Sequence, residues 1–250
     1  MLNKIDHDQI LELNLARPPV NALNPALVDE LCTAIPQAVN NGYRAIVLSG
    51  REGLFSAGLD VPELLQLDRA GMVCFWVSFF KLLETVACSR IPIAVAITGH
   101  SPAGGAVVSL FADYRVMADG EFKIGLNEVQ VGLAVPEVIQ KAFTRLVSPH
   151  TAERMMVAGA LVSPAQALKI GFVDKLAEPG AVVEDALNWC RQHVALPPIA
   201  MRETRRIARK SLSGLFDDPD QLGLEDFVEH WFHDTTQATL NQLVASLKSK

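Results

Sequence analysis

The sequence predicts a mixed α/β fold built on a largely parallel sheet, and three observations carry that prediction. Short apolar runs alternate with segments of helical periodicity, most of those runs lack the period-two polarity of a half-exposed strand, and tight hairpin signals are scarce. The opening segment, residues 1–18, does alternate apolar with polar residues, and Ile10, Leu11, Leu13 and Leu15 form a first strand that ends at Arg17-Pro18-Pro19. Asn24 followed by Pro25 is a capping residue and a first-turn proline, and Leu27, Val28, Leu31, Ala34 and Ile35 follow at helical spacing. Ala45-Ile46-Val47-Leu48, ahead of Ser49-Gly50, closes one β-α-β unit.

The apolar and aromatic stretch Met72-Val73-Cys74-Phe75-Trp76-Val77-Ser78-Phe79-Phe80 reads as a core helix. Pro92-Ile93-Ala94-Val95-Ala96-Ile97 is a buried strand; the turn Gly99-His100-Ser101-Pro102, a small-residue helix from Gly104 to Leu110 and a strand at Tyr114-Arg115-Val116 repeat the unit. Beyond residue 135 the pattern turns helical over 138–147, 151–158 and 164–170, with Ser163 and Gln166 placed as a capping box around Pro164. A short strand is expected at Phe172-Val173-Asp174, then helix from Val182 onward, broken by Pro197-Pro198 and by a loop over 211–221. The expected division is a core of residues 1–196 and a C-terminal helical region of 197–250.

Bulk properties narrow the function. The chain has 250 residues and half are hydrophobic, with mean hydropathy +0.22, yet charges, Pro or Gly interrupt every apolar run before about 18 residues, the length a membrane span needs. The first segment lacks the basic-then-apolar layout of a secretion signal, so a soluble, cytoplasmic protein is expected, with no membrane partner. A net charge of −6 disfavours a nucleic-acid surface. Cys32, Cys74, Cys88 and Cys190 are far apart, without C-x-x-C, so reduced and mostly buried thiols are expected. The six histidines show no metal-ligand spacing, and no metal is expected.

Three segments have the composition of a site. Phe55-Ser56-Ala57-Gly58-Leu59-Asp60 is a small-residue turn running into Val61-Pro62-Glu63, with Asp60 and Glu63 as a capping pair; exposed N–H groups there can hold an oxyanion, although a plain strand-to-helix turn has the same composition. Ser101-Pro102-Ala103-Gly104-Gly105-Ala106 sits at a second helix start, where glycine allows close ligand approach or simply close packing. In Ile124-Gly125-Leu126-Asn127-Glu128-Val129-Gln130-Val131-Gly132 one acid interrupts an apolar segment; it is either a solvated loop residue or a buried carboxyl with a purpose.

Taken in this order, and with Arg17-Pro18, Asn21-Ala22-Leu23 and Ala112-Asp113-Tyr114-Arg115, these segments resemble the crotonase (enoyl-CoA hydratase/isomerase) superfamily over essentially the whole chain. P-A-G-G, I-G-L-N-E-x-Q-x-G and a C-terminal helix from Phe227 to Lys248 are most similar to the 3,2-enoyl-CoA isomerases of the mitochondrial type. The resemblance implies a spiral of repeated ββα units with a C-terminal helical region, assembled as a homotrimer or dimer of trimers. It implies an oxyanion hole at the backbone N–H groups of Leu59 and Gly104, and Glu128 as the single acid/base. It also implies acyl-CoA contacts at Arg17, Asn21, Ala22, Leu23, Ser56, Ala57, Asp60 and Val107; separately, the apolar and aromatic 72–80 helix reads as either core or acyl pocket, the latter with the fatty tail against it. Arg17, Lys248 and Lys250 are the candidate phosphate contacts. No cofactor is implied beyond the coenzyme A of the substrate.

Position 107 separates the activities. Hydratases of the superfamily resemble one another in a glutamate three residues after the oxyanion glycine, paired with a second that aligns with Glu128; here the first is Val107. Adding water shares deprotonation and proton delivery between two carboxylates, and valine holds no water. The expectation is therefore isomerisation of a 3-enoyl-CoA to trans-2-enoyl-CoA through a dienolate; the alternatives are hydration, another reaction on a CoA thioester, or a silent CoA- or RNA-binding relative. Elsewhere, His100 reads as a turn or surface residue, Glu137 as a helix start, and Arg202, Arg205, Arg206, Arg209 and Lys210 as a solvated helix face.

Overall fold

The computed structural model describes residues 1–218 and 222–248. Strands β1 (Leu2–His7) and β2 (Ile10–Leu15) form an antiparallel hairpin, followed by α1 (Pro25–Asn40), β3 (Ala45–Ser49), β4 (Gly53–Leu54), α2 (Val61–Leu64) and the long α3 (Arg69–Ala87). Next come β5 (Ile93–Ile97), β6 (Gly99–Pro102), α4 (Gly104–Leu110), β7 (Tyr114–Ala118), β8 (Ile124–Gly125) and a 3-10 turn (Glu128–Val131). Then follow α5 (Glu137–Leu146), α6 (Pro149–Ala158), β9 (Leu161–Val162), α7 (Pro164–Ile170) and β10 (Lys175–Ala177). The helices α8 (Val182–Val194), α9 (Pro198–Ala208), α10 (Lys210–Ser213), α11 (Leu224–Trp231) and α12 (Asp234–Lys248) complete the chain.

Two sheets share these strands in a repeating way. The larger runs β1-β2-β3-β5-β7-β10 and the smaller β4-β6-β8-β9. Each successive pair, β3 with β4, β5 with β6 and β7 with β8, lays its first strand in the large sheet and its second in the small one before entering a helical segment, which is the expected ββα spiral. The pairings β2·β3, β3·β5, β5·β7 and β7·β10 are parallel. Strands β3 and β5 are buried throughout, which is why they read as continuous apolar runs.

Local chemistry sets the helix starts. Asn24 caps α1 by accepting from the Leu27 amide, Asp68 caps α3 by accepting from Gly71, and Ser163 with Gln166 forms the capping box of α7. Helix α3 buries Met72, Phe75, Trp76, Phe79, Phe80, Leu82, Leu83 and Val86. By length and composition it is apolar enough to cross a membrane, contrary to the expectation from apolar runs. Half of that stretch is buried against the rest of the chain, and its charged Lys81 lies on the exposed face, as in the core helix of a globular protein.

Several expectations need correction. The strand placed at residues 172–174 lies three residues later: Phe172 and Val173 are fully buried core anchors in the preceding turn, and their apolarity reflects packing, not strand pairing. The N-terminal segment is a hairpin rather than one strand, because Asp8 takes the positive φ (62°) its tight turn requires. Residues 210–216 are helical turns, not loop, since Leu212 is buried and Phe216 packs 5.6 Å from the Phe111 ring; Gln221 lies outside the described residues. The single C-terminal helix is two, parted at Phe232-His233. Of the thiols only Cys190 is buried, with Cys32 half-buried and Cys74 and Cys88 exposed.

The basic run is not one solvated face. Arg202, Arg206 and Lys210 are exposed, but Arg205 and Arg209 turn inward onto Asp113, at 2.7 and 3.0 Å, and Arg209 also donates to the Phe111 and Ala112 carbonyls. Asp113 is itself nearly buried and accepts from the Ile93 amide, so it ties α9 to the start of β5.

Candidate active site

The sequence expectations converge on one cavity of about 470 Å³ between the turn after β4, the start of α4, the 3-10 turn, α3 and the C-terminal helices. It is lined by Arg17, Ala22, Ala57 and Asp60, by Leu59, Gly104, Val107, Asn127 and Glu128, and by an apolar group of Trp76, Phe79, Ile139 and Phe227. From α12, Leu243 and Leu247 also line it.

Two backbone amides, of Leu59 and Gly104, lie close together at this space. Leu23 pairs with Leu59 in an isolated parallel bridge: the Leu23 amide donates to the Gly58 carbonyl (2.7 Å) and Asp60 to the Leu23 carbonyl (3.0 Å). The intervening Leu59 amide donates to no other group among the described residues. Gly104 is the first residue of α4, where an N–H has no intrahelical acceptor. A Cβ at Gly104 would lie 3.3 Å from the Leu59 nitrogen and 3.2 Å from the Leu59 and Leu23 side chains; a Cβ at Gly58 would lie 3.3 Å from the Gly104 nitrogen. Glycine thus keeps open a small gap bordered by both N–H groups. Before it, Ala103 holds φ 45°, a conformation costing about 1 to 3 kcal/mol in a residue with a side chain. Hydrogen bonds on both sides maintain it, from the Ala103 amide to the Gly125 carbonyl and from the Val107 amide to the Ala103 carbonyl.

Glu128 opens the 3-10 turn, 9% exposed, and its Oε2 has no hydrogen-bond partner among the described residues. Burial pushes its carboxyl up to about 7 from an ordinary 4.5, opposed only by its own backbone amide. The remaining ionisable groups of the described lining, Arg17 and Asp60, neutralise each other at 2.6 Å. Glu128 is therefore the one acid of that lining without an ion-pair partner, and Val107, 1% exposed, adds only methyl groups to the same cavity.

The other expected contacts divide into lining and framework. Asn21, Leu23 and Ser56 do not line the cavity. Asn21, at φ 49°, donates to the Phe55 carbonyl and accepts from the Arg17 amide, while Ser56 donates to the Asn21 carbonyl and accepts from the Gly58 amide. Together they join the 17–23 loop to the oxyanion turn. Asp60 caps α2 by accepting from the Glu63 amide, but Glu63 bonds Arg17 and Asn24 instead of completing a capping box. Arg17 is a poor phosphate ligand as it stands, because its guanidinium is held by both Asp60 and Glu63. The Lys248 side chain and Lys250 lie outside the described residues. His100 is exposed and accepts from the Lys123 amide, and Glu137 opens α5, paired with Lys141.

Sequence reasoning overlooked the strained Ala103 and the lining from Leu243 and Leu247. The four-residue spacing of those leucines is a usable signal on an amphipathic helix; nothing in the sequence announces the φ of Ala103. Chemically, the site suits a thioester whose carbonyl oxygen rests between two amides while an uncharged-or-charged carboxyl exchanges a proton with nearby carbon.

The sequence profile of the enoyl-CoA hydratase/isomerase family matches residues 6–240. Human mitochondrial enoyl-CoA delta isomerase 1 is 31% identical over 241 residues, covering 95% of this chain and 80% of the human protein. A probable enoyl-CoA hydratase of Mycobacterium tuberculosis is 30% identical over 190 residues, covering 76% and 72%. The crystal structure of human mitochondrial delta3-delta2-enoyl-CoA isomerase superposes with a TM-score of 0.93 at 30% identity, covering 99% of this chain and 98% of that one.

Proposed function

This chain belongs to the enoyl-CoA hydratase/isomerase family, and from that premise we propose that it converts 3-enoyl-CoA thioesters to trans-2-enoyl-CoA with Glu128 as its single acid/base. The observation that carries this reading is the unpartnered Oε2 of Glu128 in a cavity whose lining has Val107 as its residue at 107 and whose other described carboxyl, Asp60, is paired with Arg17.

The thioester oxygen accepts from the Leu59 and Gly104 amides. Protons on C2 of a 3-enoyl thioester are acidified by the carbonyl and by the neighbouring double bond, so one base suffices to remove one. Charge then spreads onto the thioester oxygen, where loss of one such donor typically costs about 3 to 4 kcal/mol. Glu128, now protonated, returns the proton at C4, and the double bond moves into conjugation. A carboxyl with its pKa near 7 serves both halves of the cycle at neutral pH, being basic enough to take the proton and acidic enough to give it back. The reaction needs no cofactor beyond the coenzyme A carried by the substrate. The apolar wall of Trp76, Phe79, Ile139 and Phe227 receives the acyl tail and keeps water from the dienolate.

Hydration would need a second group to hold water, and Val107 offers none. The test is turnover of 3-hexenoyl-CoA, with appearance of the conjugated 2-enoyl thioester followed by absorbance. Glu128→Gln is expected to abolish it while acyl-CoA binding persists; unchanged turnover in the variant, or a 3-hydroxyacyl product from the wild type, refutes the reading.

A further inference from the structure

Glu128 has no hydrogen bond to fix its Oε2, so its aim depends on the short turn that carries it. That turn is closed internally by the Gln130 amide on the Asn127 carbonyl and the Leu133 amide on the Glu128 carbonyl, both 3.0 Å. Outside it, two helices grip it. On one side is Gly159, the C-cap of α6, where a Cβ would lie 2.8 Å from Gln130 and 2.9 Å from Val129. On the other side is Gly132, at φ 79°, where a Cβ would lie 3.3 Å from the Cα of Thr236 in the first turn of α12.

Thr236 does something other helical threonines of this chain do not. Thr33, Thr85, Thr144 and Thr239 each donate to the carbonyl four residues back in their own helix. Thr236, 4% exposed, instead donates across 104 residues of sequence to the Gly132 carbonyl at 2.9 Å. Two and three turns further on, the same helix contributes Leu243 and Leu247 to the lining of the cavity. One rigid element therefore touches both the turn under the acid and the space the tail fills.

We propose that Thr236 is a positioning residue for the reaction: its bond to the Gly132 carbonyl fixes the Glu128 turn and makes the placement of Glu128 depend on α12 being seated over the acyl pocket. The proposal rests on Glu128 being the acid/base. Thr236 does not line the cavity, so it acts only through the turn. A tail packed under Leu243 and Leu247 holds α12 down, and α12 in turn holds the acid where C2 and C4 arrive.

The test compares Thr236→Val and Thr236→Ala, which lack the hydroxyl, with Thr236→Ser, which keeps it. For the first two, kcat on 3-hexenoyl-CoA is expected to fall about tenfold to a hundredfold, the scale of a small misplacement of a catalytic group. Affinity for saturated hexanoyl-CoA, which has the same tail and no reacting double bond, is expected to stay within about twofold, and serine to restore kcat. The alanine variant introduces no extra methyl into the buried site, so it reads the same loss if valine prevents folding. A folded valine or alanine variant with wild-type kcat, a loss confined to affinity, or a serine variant as slow as valine overturns the proposal. Wild-type protein inactive on 3-enoyl-CoA refutes the functional reading itself, and the coupling with it.

Discussion

Replacing Glu128 with glutamine is expected to remove activity and, above neutral pH, to stabilise the fold. A carboxyl moved from 4.5 to about 7 by burial stands for about 3 kcal/mol between its protonation states, at about 1.4 kcal/mol per pH unit. The sign follows from linkage: the folded state binds this proton more tightly than the unfolded chain does. Its contribution is therefore fully present below pH 4.5 and is lost as pH rises through about 7. Glutamine cannot ionise and keeps what the wild type loses. Between about pH 5 and 8.5 the stability of the variant relative to wild type should rise by about 2 to 3 kcal/mol, which at this chain length is a relative Tm gain on the order of 5 to 10 °C. Thermal and urea melts of both proteins across that range measure it, and the pH dependence of the difference is the readout, since any constant cost of the amide cancels. A difference that does not change with pH would refute the claim that burial raises the Glu128 carboxyl to about 7.

The same carboxyl sets the activity profile: kcat/KM is expected to rise with pH through about 7 as the base deprotonates, and a profile already flat at pH 5.5 would contradict it. Gly104→Ala keeps an ordinary helix start but sets a methyl 3.3 Å from the Leu59 nitrogen; kcat should drop about 100- to 1000-fold with the melting curve little changed, and near-normal kcat would remove the oxyanion hole from the mechanism. Asp113→Asn weakens the nearly buried charge cluster with Arg205 and Arg209 and is expected to cost about 3 to 5 kcal/mol of stability in urea unfolding. Loss below about 1 kcal/mol, the scale of an exposed ion pair, would show that the cluster does not hold α9 in place.

Spatial convergence explains why this site is compact although its residues lie far apart in sequence. Each ββα turn of the spiral adds a parallel strand to the small sheet, so the C-terminal ends of β4, β6 and β8 lie at one end of it and lead to Leu59, Gly104 and Glu128 in one cavity. The donors are main chain, so leucine at 59 is as serviceable as any residue, and what the sequence must conserve physically is the absence of a Cβ at 104.

What the residues determined by themselves was everything governed by near neighbours. Buried runs such as Ala45-Ile46-Val47-Leu48 named the central strands, and Asn24, Ser163 and Asp60 named helix starts because a cap is satisfied within four residues. Each of the three site segments alone also fits an ordinary turn, a packed helix start or a loop acid, and they were legible only as a set, in their order along the chain and by the family they resemble. Tertiary structure alone decided which arginines of the 202–210 run face water, since Asp113 lies some ninety residues away, and it alone committed Arg17 to two carboxylates. It alone also set the acidity of Glu128, because a carboxyl's pKa is fixed by the solvent it loses, and that loss comes from α6 and α12 packing on the turn and from the apolar cavity beside it.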